Sequence, residues 1–127
     1  MTGRVVLEPI GHVVGGRAAV EDDAWGPVEA RIRLDHPRAT EEMVRGLADF
    51  SHLEVIFVLD RVDEDRVEWG SRHPRGNRTW PRVGILAQRA KDRPNRLGLS
   101  RCELVAIDGI DLVVRGLDAV DGSPVLR

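Results

Sequence analysis

Residues 28–34 alternate without a fault. Val28, Ala30, Ile32 and Leu34 fall on one side, and Glu29, Arg31 and Arg33 on the other. A two-residue period of this kind predicts a strand with one face in a core and one in water. Residues 4–9 read as an earlier strand through Val5, Val6 and Leu7, which resumes at His12-Val13-Val14 and ends at Gly15-Gly16. Residues 53–59 are almost continuously apolar, which predicts a central strand buried on both faces. Residues 84–87, small and apolar, read as another buried strand. Residues 102–107 and 110–114 form a further pair around Asp108-Gly109, a dipeptide suited to a tight hairpin.

Between the second and third strands the period changes. Met43, Leu47 and Phe50 fall at helical spacing, Glu41 and Glu42 sit in the first turn, and Thr40 is placed to cap it. The pattern is therefore several short strands and one short helix. It predicts a mainly β fold, a small single-domain barrel of mostly antiparallel strands spanning 1–127. No βαβα alternation is present, so a Rossmann-type fold is a poor match.

Length and apolar content agree with one domain that has a real core: 127 residues, 42% hydrophobic. No run has the length of a membrane helix, and MTGRVVLEPIG lacks the apolar region of a signal peptide. A cytoplasmic protein that avoids membranes is the expectation. Cys102 is the single cysteine, so neither an internal disulfide nor a cysteine metal cluster is expected, and no metal site is assigned.

The net charge of −2 hides a polarity along the chain. Residues 1–65 carry 7 basic and 14 acidic side chains, residues 66–101 carry 10 and 2, and residues 102–127 carry 2 and 5. The basic middle can meet a phosphate or carboxylate ligand, or pair with the acidic outer thirds. The acidic overall balance leans toward internal pairing.

The densest chemistry lies in GILAQRAKDRPNRLGLS, residues 84–100. Arginines, an asparagine, a proline and a glycine crowd one loop; Pro94 restricts Arg93, and Gly98 allows a close backbone approach. Gly84, Ala87, Arg89, Arg93, Pro94, Asn95, Gly98 and Ser100 stand in register with the signature of the TsaA-like family, which the stretch resembles. That family comprises tRNA N6-threonylcarbamoyladenosine methyltransferases. Arg96 departs from it, standing where the family usually has proline. VRGL at 44–47 and FSHL at 50–53 are similar to a second family segment, and Arg72 to Asn77 to a third. The run LDAVDGSPVL at 117–126 is similar to a fourth, which in the family continues into D-I-K-P-Y. The family's Gln-Pro-Gly-like segment has no clear counterpart in residues 17–27. The chain resembles a short version of the family, lacking its C-terminal extension.

The resemblance implies a non-Rossmann β-barrel that binds S-adenosyl-L-methionine, normally as a homodimer with the cofactor near the subunit interface. It implies cofactor contacts at Asp60, Arg61, Arg89, Leu99, Leu117 and Asp118. Arg89 would bind the cofactor's carboxylate, Leu99 would line the adenine pocket, and Asp118 would accept hydrogen bonds. Arg93 and Asn95 are the catalytic candidates, as positioners of the methyl acceptor. Each has a plainer alternative: a surface ion pair for Arg89, core packing for Leu99, a turn cap for Asp118, and loop rigidity for Arg93 and Asn95. His52 reads better as a structural histidine than as a catalyst. The implied reaction is methyl transfer to threonylcarbamoyl-modified adenosine in tRNA. A small-molecule acceptor and a non-catalytic cofactor-binding module are the alternatives.

Overall fold

A computed structural model describes residues 3–16, 28–74, 77–88 and 94–127. Its strands are β1 (Gly11–Gly15), β2 (Glu29–Arg33), β3 (His52–Val58), β4 (Ser71–Arg72), β5 (Val83–Gly84), β6 (Leu97–Asp108), β7 (Asp111–Arg115) and β8 (Pro124–Val125). The alternating run is β2, with Ala30 and Ile32 buried. Six strands close a barrel in the order β1-β2-β7-β6-β3-β8, each neighbouring pair antiparallel. Closure removes the open edges a flat sheet would expose. β4 and β5 form a separate two-stranded ribbon. The expected mainly β, antiparallel barrel is the architecture observed.

Inside the barrel Val13, Ile32, Val55, Phe57, Cys102, Val114, Leu117 and Val125 make one core. β6 sustains its contribution through a bulge. Leu104 pairs with Val114 and Ala106 with Val113, so Val105 is an extra residue. One inserted residue inverts the inside–outside parity. Both Leu104 and Ile107 therefore pack on the core while Val105 is exposed.

Several expectations give way. Residues 4–9 form no strand, and Val5, Val6 and Leu7 are exposed. Apolar residues without a paired neighbour do not make a strand, and the barrel begins only at Gly11. There a Cβ would stand 2.3 Å from the Arg33 carbonyl oxygen, an approach only glycine permits. β3 is not buried on both faces. Val55 and Phe57 point inward, while Glu54 is exposed and Ile56 and Val58 are half-buried outside. A barrel wall has a single interior, so continuous apolarity leaves a second, outward stripe.

The helical segment is two short 3₁₀ turns, Glu41–Val44 and Leu47–Asp49, parted by Gly46 at φ 83°. Met43 and Phe50 are exposed, and the Thr40 hydroxyl makes no cap bond. Residues 84–87 are not a strand: β5 ends at Gly84 and Ile85–Ala87 make a 3₁₀ turn, Ile85 buried and Leu86 exposed. The β6–β7 loop is Gly109-Ile110, one residue later than expected, with Asp108 facing Asp111. Gly109, at φ 65°, occupies the first turn position, where a tight hairpin needs a left-handed residue.

Outside the barrel, Arg33 Nη2 donates to Asp111 at 3.2 Å and Arg31 Nη1 donates to Asp108 at 3.0 Å. The Arg33 hydrogen bond, with Arg31 adding to it, holds the Asp111 carboxyl below the usual carboxylate range against the opposing effect of burial. A depressed native pKa stabilises the fold above the unfolded-chain value of about 4, and that contribution disappears as pH falls through the native value. Acid unfolding of the wild type should therefore steepen below about pH 4. In Asp111→Asn that part of the slope should vanish, as circular dichroism against pH will show.

Candidate functional site

One end of the barrel gathers the C-terminal ends of β1, β3 and β7 with the first residues of β6. β3 runs out at Val58 opposite Leu97, and Leu59 N then donates to Arg96 O at 2.7 Å. The turn that follows carries Asp60 and Arg61, both exposed. From it Arg61 Nη2 reaches the Asp121 carbonyl at 3.1 Å, across 60 residues of sequence. Asp121 in turn accepts the Gly15 N–H on its carboxylate at 3.0 Å, which ties the segment of residues 117–123 to the end of β1.

On β6 the side chains alternate. Gly98, Ser100 and Cys102 face inward, and Leu99 faces outward at 42% exposure. The Ser100 hydroxyl accepts a hydrogen bond from Asp118 N at 3.2 Å. Leu117 is buried to 2% and belongs to the core, while Asp118, its neighbour, is exposed. Two hydrogen bonds thus join three distant segments, 60–61, 99–100 and 117–121, at one barrel end. Asp60, Arg61, Leu99 and Asp118 are brought to that end.

The Cys102 thiol, two residues along β6 from Ser100, is buried. Burial first, and the Asp118 charge second, push its pKa up to about 11. The thiol is therefore neutral near pH 7, with no ionic part in the site.

Asn95 sits slightly apart. It adopts a left-handed backbone, φ 64°, followed by Arg96 at φ 51°. It lines a hollow of about 750 Å³ with Val58, Leu97, Leu126 and the arm residues Val5 and Leu7. Arg96 Nη1 donates to Val62 O at 2.8 Å, so this bend is rigidly held. Arg89 and Arg93 lie outside the described residues. His52 Nδ1 is 2.9 Å from Ser51 Oγ at the start of β3.

Sequence reasoning assigned no role to Ser100 or Asp121, which knit the end together. Ser100 is the last residue of the signature stretch and Asp121 opens the Asp-Gly turn; those positions were the available signal. At the opposite mouth, Met43, Val44, Leu47, Phe50, Leu53 and Leu112 line an apolar hollow of about 470 Å³. Its polar rim is thin, so it offers little to fix a charged ligand.

Comparison with known proteins places these residues in context. Residues 21–127 match the family model described as the tRNA-methyltransferase O N-terminal domain. A protein of Escherichia coli named tRNA (adenine(37)-N6)-methyltransferase is 38% identical over 101 residues, covering 75% of this chain and 42% of its own length. A protein of Methanothermobacter thermautotrophicus named "Probable S-adenosyl-L-methionine-binding protein" is 41% identical over 85 residues, 67% of this chain and 58% of its own length. The crystal structure of TrmO superposes on the whole chain with a TM-score of 0.76 at 23% identity, over 55% of that structure's chain. This chain thus spans about half the length of the proteins it matches.

Proposed function

This chain belongs to the tRNA-methyltransferase O N-terminal domain family, and on that premise we propose that it binds S-adenosylmethionine at the Arg61–Leu99–Asp118 end of the barrel and methylates threonylcarbamoyl-modified adenosine in tRNA. The observation that carries the reading is the joining of segments 60–61, 99–100 and 117–121 by the Arg61–Asp121 and Ser100–Asp118 hydrogen bonds.

The residues at this end fit the cofactor's chemistry. Leu99 offers exposed apolar surface to a flat base. Asp118 offers a carboxylate to ribose hydroxyls or to an ammonium group. Arg61 offers the planar fork that suits a carboxylate, and the family signature assigns the same role to Arg89, which lies outside the described residues. Asp60 adds a second negative group beside a cationic ligand. Leu117 serves through its main chain, because its side chain is buried in the core. S-adenosylmethionine, when bound, supplies the activated methyl group, so the protein's task is alignment and charge placement. Asn95, at the bend before β6, orients the acceptor together with Arg93, whose part rests on the family signature.

A second copy of the chain fits the outward apolar stripe. Ile56 and Val58 stand beside Leu97 on the outer wall, and Leu126 adds to the same side. A homodimer covering that stripe would bring two such ends together. As a protein acting on tRNA it would work in the cytoplasm.

The test is incubation with S-adenosylmethionine and threonylcarbamoylated tRNA, followed by mass spectrometry of the nucleosides. A nucleoside carrying one extra methyl group is expected. If the cofactor binds and that nucleoside stays unchanged, the tRNA reading falls and a small-molecule acceptor takes its place.

A further inference from the structure

We propose that the β4–β5 ribbon is a docking surface for an unpaired stretch of RNA, with Trp69 and Trp80 as stacking platforms and Arg78 and Arg82 on the phosphates. The inference rests on the tRNA reading above and adds the surface that takes hold of the strand.

The two tryptophans are unusual in their exposure. Trp69 is 76% exposed and Trp80 47%, on a ribbon otherwise rich in polar groups. Large exposed aromatics are costly to leave in water, and they mark places where a flat partner is received. The charge around them is one-sided. Residues 66–88 hold five arginines, His73 and a single acidic residue, Glu68. Glu68 is engaged locally: its carboxylate accepts the Gly70 N–H at 3.0 Å. Arg72, His73, Arg78 and Arg82 line a hollow of about 380 Å³ with it. Aromatic faces set among arginines match single-stranded nucleic acid, whose bases stack and whose phosphates are anionic.

The ribbon is also ordered beforehand. Arg82 donates from Nη2 to Ser71 O at 2.8 Å and from Nε to Ser71 Oγ at 3.3 Å. Gln88 Nε2 donates to the carbonyls of Arg72 and Val83. His73 Nδ1 meets Trp80 O at 2.8 Å, and the Asn77 side chain accepts from both the amide and the hydroxyl of Thr79. These bonds fix the backbone that carries Trp80, so little ordering entropy is left for binding to supply. In the chain the ribbon lies between the Asp60-Arg61 turn and the Asn95 bend.

The test is fluorescence anisotropy with a short labelled single-stranded oligoribonucleotide of mixed sequence, and with the same sequence as a duplex. Trp69→Ala and Trp80→Ala are each expected to weaken single-strand binding about tenfold. The duplex should be bound more weakly and affected less. Val105→Ala, an exposed apolar change elsewhere on the barrel, should change neither. Arg78→Ser should flatten the salt dependence of single-strand binding by about one phosphate contact. Sedimentation of the double tryptophan variant separates the rival occupant. If that variant loses self-association while its RNA affinity is unchanged, the ribbon is a protein interface and the proposal is overturned. Unchanged RNA affinity in both single variants overturns it as well. Calorimetry with S-adenosylmethionine on the same variants keeps the two readings apart. Tryptophan variants that bind cofactor normally yet lose RNA support the ribbon, whereas RNA binding without any cofactor binding by the wild type removes the enzyme reading alone.

Discussion

Leu117→Ala should lower the stability of the fold by about 2–5 kcal/mol, with a thermal midpoint roughly 10 °C lower. Leu117 is buried to 2% and belongs to the same core as Ile32, Val114 and Val125. Truncation removes its apolar contacts and leaves a space that the closed wall cannot collapse to fill, because each strand is held on both sides. The position also carries Asp118 at its C-terminal side, whose N–H is bonded to Ser100. A loosened Leu117 therefore loosens the 117–121 segment at the proposed cofactor site. At a temperature where the variant is still folded, the affinity for S-adenosylmethionine should fall less than it does for Asp118→Ala. Equal stability of Leu117→Ala and wild type in denaturant titration would remove Leu117 from the core.

Gly98→Ala is the second large effect, at about 1–3 kcal/mol of destabilisation. Gly98 pairs with Phe57 across β6 and β3. A Cβ there would stand 2.4 Å from the ring's terminal carbon and within 2.8 Å of two more ring atoms. A flexible surface side chain could turn aside, but Phe57 is 2% exposed and packed in the core. The ring lies directly over the glycine, so its displacement disturbs the core as well as the pair. Phe57→Leu should be destabilising alone and should recover part of the loss in the double variant. A coupling of about 1 kcal/mol or more is expected from a double-mutant cycle in urea. Strict additivity would mean that the two residues do not compete for the same space. The glycine of the signature thus has a structural reason to be there, whatever else the loop does.

The fold was legible where a period was clean. Residues 28–34 alternate, and β2 formed as expected because one face of a barrel wall is dry and the other wet. The β6–β7 hairpin was visible in its glycine turn, though Gly109-Ile110 rather than Asp108-Gly109 occupies the loop. The segment 41–50 misled, because its apolar residues keep helical spacing while Gly46 takes a left-handed φ that stops the helix within a turn. Val5, Val6 and Leu7 misled for a simpler reason: local apolarity says nothing about whether a partner strand exists.

The site was less legible. Nothing in the periodicity singles out Asp60, Arg61, Leu99 or Asp118; their proposed roles came from resemblance to a family signature. The bonds that join them run from Arg61 to Asp121 and from Asp118 to Ser100, over 60 and 18 residues of sequence. A side chain meeting a distant backbone group leaves no repeating trace along the chain, so only the folded barrel reveals the connection. Among the described residues Arg82 donates to Ser71 and Arg96 to Val62 O, while Arg31 and Arg33 meet the C-terminal acids.

The most direct measurement is the amide spectrum of the isotope-labelled protein during titration with S-adenosylmethionine. Shifts concentrated at residues 60–62, 99–101 and 117–121 are predicted, with the opposite mouth, lined by Leu47, Phe50, Leu53 and Leu112, silent. Perturbations gathered around Leu47, Phe50 and Leu53, or a spectrum that does not move at saturating ligand, would contradict the assignment of the cofactor to this end of the barrel.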